Sequence, residues 1–233
     1  MAGVTGETRV TGEASGPPRA GTVPARAAML KRVLVAPLDA FVRSRALKPA
    51  VFLLALTPLL SLVHLLLTGG LGANPIEELT HRTGELGLRF LLLGLLVTPL
   101  RFAIGRTWPV KLRRMLGLFA FLYVLLHVTV WSVLDQQLDL AAMWADLIER
   151  PYILAGFVGF AILVPLAATS TQRIARRMKR RWFALHRLVY IAAAAAVVHF
   201  AWLAKGDRVE PYVYLGILMA LLLARFARLL KSA

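Results

Sequence analysis

The chain has 233 residues, 58% of them hydrophobic, with 28 Lys or Arg against 12 Asp or Glu and no cysteine. A mean hydropathy of +0.67 excludes an ordinary soluble domain and marks an integral membrane protein, while the missing cysteine excludes disulfides, thiolate metal sites, Cys-ligated iron–sulfur clusters and thiol catalysis. The formal charge of +16 would suit nucleic acid, but the basic residues sit beside the ends of apolar stretches and read as topology signals.

Residues 1–45 are rich in Gly, Ala, Pro, Thr and Arg without a hydrophobic period, and are expected to form a disordered cytoplasmic tail. Their apolar patch from Met29 to Leu38 is interrupted by Lys31, Arg32 and Pro37, a poor signal peptide that is expected to stay attached. Residues 46–233 then read as an all-α membrane domain, a six-helix transmembrane bundle. The predicted spans are about Pro49 to Leu67, Glu85 to Leu100, Met115 to Leu134, Tyr152 to Thr169, Trp182 to Leu203 and Pro211 to Phe226. Gly and Pro in TGGLGANP break the chain after the first span, and WADLIERP, before the fourth, is expected to make an interfacial turn of helix.

Loop charge alternates. The second loop carries Arg101, Arg106, Lys111, Arg113 and Arg114, the fourth carries Arg173, Arg176, Arg177, Lys179, Arg180 and Arg181, and each of the others has at most two Lys or Arg. The positive-inside rule therefore places both termini in the cytoplasm, with a bacterial inner membrane as the expected location.

Three histidines lie in two of the spans: His127 in the third, His186 and His199 in the fifth. Imidazole in hydrocarbon is costly unless something binds it. Counted from the cytoplasmic ends at Met115 and Ala184, His127 is ~18 Å and His199 ~22 Å deep at 1.5 Å per residue, so the two lie at similar height. One histidine from each of two neighbouring helices is the arrangement that ligates a haem iron from opposite faces. His186 lies near the cytoplasmic boundary with no histidine at its level, so its partner there would be another group, water or an exogenous ligand, unless it serves a different cofactor.

The remaining polar residues have plainer readings. His64 is expected to pack between helices and His81 to sit at an interface, although either could contact a haem or a quinone. Glu85 and Arg89, four residues apart, make a charge pair that limits each other's burial cost; alternatively Arg89 binds a haem propionate. Trp131, Trp144, Trp182 and Trp202 suit the aromatic belts of a membrane protein. The alanine run 192–196 permits close approach of a helix or macrocycle.

The segments NPIEELTHRTGELGLRF, LLVTPLR, RRMLGLFAFLYVLLHVTVW, ERPYILAGFVGF, TSTQ and RRWFALHRLVYIAAAAAVVHFAW, in this order, resemble the MsrQ family, haem-binding membrane subunits of the ferric-reductase-like transmembrane group. The resemblance implies a protein carrying haem b, one or two, and FMN, with His127, His186 and His199 as haem ligands. It implies electrons taken from the quinone pool or a cytoplasmic flavin reductase and passed to MsrP, a periplasmic molybdopterin enzyme on which the catalytic site for methionine sulfoxide is expected. Oxidases of the wider group place a second histidine on the third span; the matching position here, near Arg113 and Arg114, is basic. They also carry a nucleotide- and flavin-binding domain after the last span, and without one this chain is not expected to take hydride from NADPH. The competing readings are a stand-alone ferric or quinone reductase, and a transporter or assembly factor whose histidines handle protons or metal ions.

Overall fold

In the computed structural model the described residues are 44–204 and 209–232, with the isolated Gly3 and Val42. The tail expected over residues 1–45 falls almost wholly outside them, as do Lys205 and Arg208 of the last loop. From Arg45 onward the chain forms one compact unit, which is all-helical among the described residues: α1 (Leu47–Leu67), α2 (Pro75–Ala103), α3 (Val110–Thr129), α4 (Leu140–Glu149), α5 (Pro151–Ala168), α6 (Gln172–Met178), α7 (Arg180–Arg187), α8 (Val189–Leu203) and α9 (Glu210–Ser232). Six helical segments are long and apolar enough to cross a membrane: α1, α2, α3 with its extension to Asp135, α5, α7 with α8, and α9. One end of the bundle carries the arginine-rich loops before α3 and before α7 and is the basic end; α1, the extension of α3 and α8 finish at the opposite, distal end.

Local chemistry explains where the helices differ from expectation. The second span begins ten residues before Glu85 because its charges pair along the helix: Arg82 Nε lies 2.6 Å from Glu78 Oε1, and Arg89 Nη2 lies 2.6 Å from Glu85 Oε2. Its start is well specified. Asn74 caps it by accepting from the Glu77 amide, Pro75 occupies the first turn, and Glu77 and Glu78 face the positive end of the helix dipole. The fifth span is two helices separated by Leu188, whose ψ of −13° departs from the α-helical value. Lys179, at φ 50°, turns the chain sharply between α6 and α7. The expected interfacial turn is the ten-residue helix α4, capped by Asp139 Oδ1, which accepts from the amides of Ala141 and Ala142.

The core lies where α2, α3, α5 and α8 meet, with Leu88, Leu91, Leu95, Ala120, Tyr123, Leu163, Ala192, Ala193 and Val197 buried against one another. Small residues set its spacing. A Cβ on Gly87 would come within 2.6 Å of Val124 Cγ2, and one on Gly159 within 3.4 Å of the Ala192 carbonyl oxygen, so α2 lies tightly on α3 and α5 on the alanine run of α8. Helix α1 is held more loosely, and its leucines at 53, 54, 60 and 67 are exposed. Its anchor is polar: the fully buried Tyr123 stacks on Phe90 with ring centres 5.2 Å apart and donates its hydroxyl to the Ala55 carbonyl at 2.8 Å. Tyr123→Phe removes that bond while keeping the stack, and is expected to cost about 1 kcal/mol. A lower thermal midpoint in detergent, with unchanged helical content by circular dichroism, checks it.

Candidate functional site

The two deep histidines meet. His127 projects from α3 and His199 from α8, with ring centres 6.1 Å apart and ring planes at 73°. Each is fixed by its Nδ1 to a backbone carbonyl of the helix it faces: His127 to Thr80 O on α2 at 2.8 Å, and His199 to Tyr152 O on α5 at 2.6 Å. A carbonyl only accepts, so each Nδ1 carries the proton and, in the neutral ring, each Nε2 keeps its lone pair. The contacts are close because glycine stands beside each ring. A Cβ on Gly84 would lie 3.0 Å from His127 Nδ1, and one on Gly156 would lie 2.9 Å from His199 Nδ1.

Both rings line a cavity of about 380 Å³ enclosed by α2, α3, α5 and α8. Its deep walls are apolar, with Leu88, Val124, Phe160, Leu163, Ala196 and Phe200, whereas Glu77, His81, Asp135 and Arg150 lie toward the distal mouth, and Glu85 lines the cavity next to Gly84. Just past His127 the third span continues as a π-helix from Val130 to Asp135, a departure often found at functional sites, and it brings Trp131 and Asp135 to the cavity.

The expected haem can be tested against this geometry. Two metal–imidazole bonds of about 2 Å each, plus roughly 1 Å from each nitrogen to its ring centre, require centres about 6 Å apart, against the 6.1 Å found. Among the described residues no group of three or more His, Asp or Glu side chains converges as for a bare ion. Two axial nitrogens suit an iron whose other positions a macrocycle fills, and the cavity falls within the usual size of cofactor pockets. The residues fit the group.

Comparison with known proteins agrees in kind. Residues 83–197 match a family model described as ferric reductase like transmembrane component. Relatives named protein-methionine-sulfoxide reductase heme-binding subunit MsrQ include that of Rhodospirillum rubrum, 48% identical over 184 residues that cover 78% of this chain and 88% of the relative. Those of Ralstonia nicotianae, 45% identical with 76% and 83% covered, and Brucella ovis, 49% identical with 69% and 73% covered, are further examples. The chain belongs to the MsrQ family.

In this MsrQ-family chain the other expected site residues lie apart from the pair. His186, on α7 near the basic end, stacks on Trp182 with ring centres 3.8 Å apart, approaches Trp182 O at 3.1 Å through Nδ1, and is not among the residues lining the cavity. Arg89 lines a separate groove of about 710 Å³ beside α1 and is occupied by Glu85 and by the Tyr214 hydroxyl at 2.7 Å. His81 lines both spaces and lies 3.8 Å from Glu77, while His64 is exposed on α1 and not packed between helices. Because α3 and α7 begin earlier than predicted, at Val110 and Arg180, His127 and His199 lie farther from the basic ends of their segments than the expected depths of ~18 and ~22 Å.

Sequence reasoning missed Gly84, Gly156, the carbonyls of Thr80 and Tyr152, and Arg150. Arg150 is the one Arg or Lys among the residues described as lining the cavity. It precedes Pro151 at the start of α5, lies 3.2 Å from Asp146, and its pKa is pushed above the usual arginine value, first by the Tyr152 side chain and then by Asp146. Arg150 is therefore cationic at any physiological pH.

Proposed function

We propose that this protein is the haem b electron-transfer subunit of a methionine sulfoxide reductase system in the bacterial inner membrane. It takes electrons from the quinone pool or a cytoplasmic flavin reductase and passes them to an MsrP-type periplasmic molybdopterin enzyme, supporting repair of methionine sulfoxide in periplasmic proteins. The observation that carries the reading is the pair of imidazoles, on separate helices and 6.1 Å apart, with both Nδ1 atoms committed to carbonyls.

When bound, a haem supplies a one-electron couple whose potential the protein tunes through ligands, hydrogen bonds and burial. The chain supplies the rest. His127 and His199 would offer Nε2 lone pairs of fixed tautomer, the leucines and phenylalanines would exclude water from the deep walls, and Arg150 would pair with a carboxylate at the mouth. Arg89, which lines the groove beside α1 and not the cavity, is the weaker choice for that carboxylate. With the arginine-rich loops in the cytoplasm, the distal end faces the periplasm, which puts the pair close to a soluble acceptor. His186, near the opposite face with its Nδ1 directed at Trp182 O, would be a ligand or relay on the donor side, where FMN or a second haem would also belong.

Purified wild-type protein is expected to show a low-spin b-type absorbance spectrum, lost in His127→Ala and in His199→Ala. Unchanged spectra in both variants would remove the assignment, and a colourless wild type after haem-replete expression would favour the transporter or assembly reading. Arg150→Gln is expected to keep the spectrum but release haem to apomyoglobin roughly fivefold faster, equivalent to about 1 kcal/mol for a partly exposed pair. Arg89→Gln is expected to leave that rate unchanged.

A further inference from the structure

The two half-sites repeat one another. Thr80, Gly84, Gly87, Val124 and His127 on α2 and α3 recur, each 72 residues later, as Tyr152, Gly156, Gly159, Ala196 and His199 on α5 and α8. The correspondence is physical as well as numerical. Both imidazole-to-carbonyl bonds span 47 residues, each glycine that touches a ring stands one helical turn after the accepting carbonyl, and the next glycine along brings its helix against the histidine's own helix.

We propose that Gly84 and Gly156 are positioning residues for the axial ligands, a role that rests on the haem reading above. At both positions the missing side chain lets a helix backbone reach the edge of the imidazole, so that Nδ1 can donate to the carbonyl one turn back. A methyl group at Gly84 would stand 3.0 Å from His127 Nδ1 and 3.1 Å from its Cε1; at Gly156 it would stand 2.9 and 3.1 Å from the same atoms of His199. At Gly156 the ring or its helix must shift, and at Gly84 the ring must give by a few tenths of an ångström; a ring displaced in this way lengthens and weakens its bond to the carbonyl. The device thus sets two things: the tautomer of each ligand, and the crossing of the two ring planes at 73°. Hydrogen bonding at the far nitrogen makes a ligating imidazole more basic and stabilises the oxidised metal. Crossed ligand planes give low-spin ferric iron a highly anisotropic electron paramagnetic resonance signal, with a larger maximum g value than parallel planes give.

The test uses the full-length, haem-replete protein with Gly84→Ala, Gly156→Ala and the control Gly94→Ala, whose added Cβ would meet nothing closer than Gly117 N at 4.0 Å. The measurements are haem content, the low-temperature paramagnetic resonance spectrum and the midpoint potential. Wild type and Gly94→Ala are expected to share the crossed-plane signal, while the two alanine variants shift its maximum g value and raise the midpoint potential. Alanine variants that lose thermal stability but keep the wild-type signal and potential would reduce both glycines to packing residues and overturn the proposal. If neither variant accumulates, the wild-type spectrum decides, because the signature of parallel planes would overturn it directly. A wild type that binds no haem would defeat the functional reading, whereas loaded wild type with indistinguishable variants would defeat only this one.

Discussion

The structure depends on how an imidazole is accommodated in an apolar slab. A neutral ring has one nitrogen that must donate and one that can accept, and inside a membrane neither finds water. Here the donor is absorbed by a backbone carbonyl of the neighbouring helix, for His127 as for His199. The other nitrogen takes no part in that bond, and the two rings stand with their centres 6.1 Å apart. The tight α2–α3 and α5–α8 packing and the glycines that allow it are conditions for that placement.

The same packing divides the helices into a close-packed group and a more exposed one. Four helices supply most of the core of leucine, alanine, phenylalanine, valine and one buried tyrosine, with Leu218 added from α9, whereas α1 contributes Ala55 and receives a hydroxyl bridge from Tyr123. The cavity is enclosed by the four well-packed helices.

Much of this was legible in the sequence because the membrane enforces simple rules. Long apolar runs, the charged loops and the height-matched His127 and His199 all follow from length and composition. The exact extents were not legible. The hydropathy of the sequence starts the second span at about Glu85, but charge pairing along the helix carries it back to Pro75. The separation of His186 from the other two histidines was legible from its depth, whereas its stacking on Trp182 was not. Gly84 and Gly156 looked like ordinary small residues in tight helices. Only the shared offset of 43 residues to a histidine marks them, and that offset acquires meaning once the rings are seen against them.

The central claim is that one iron sits between these two rings. Locating the iron in haem-replete protein, by anomalous diffraction or a high-resolution density map, tests it most directly. The account predicts a single iron density about 2 Å from Nε2 of both His127 and His199, within the cavity they line. Iron bound elsewhere, or held by only one of these histidines, would contradict it.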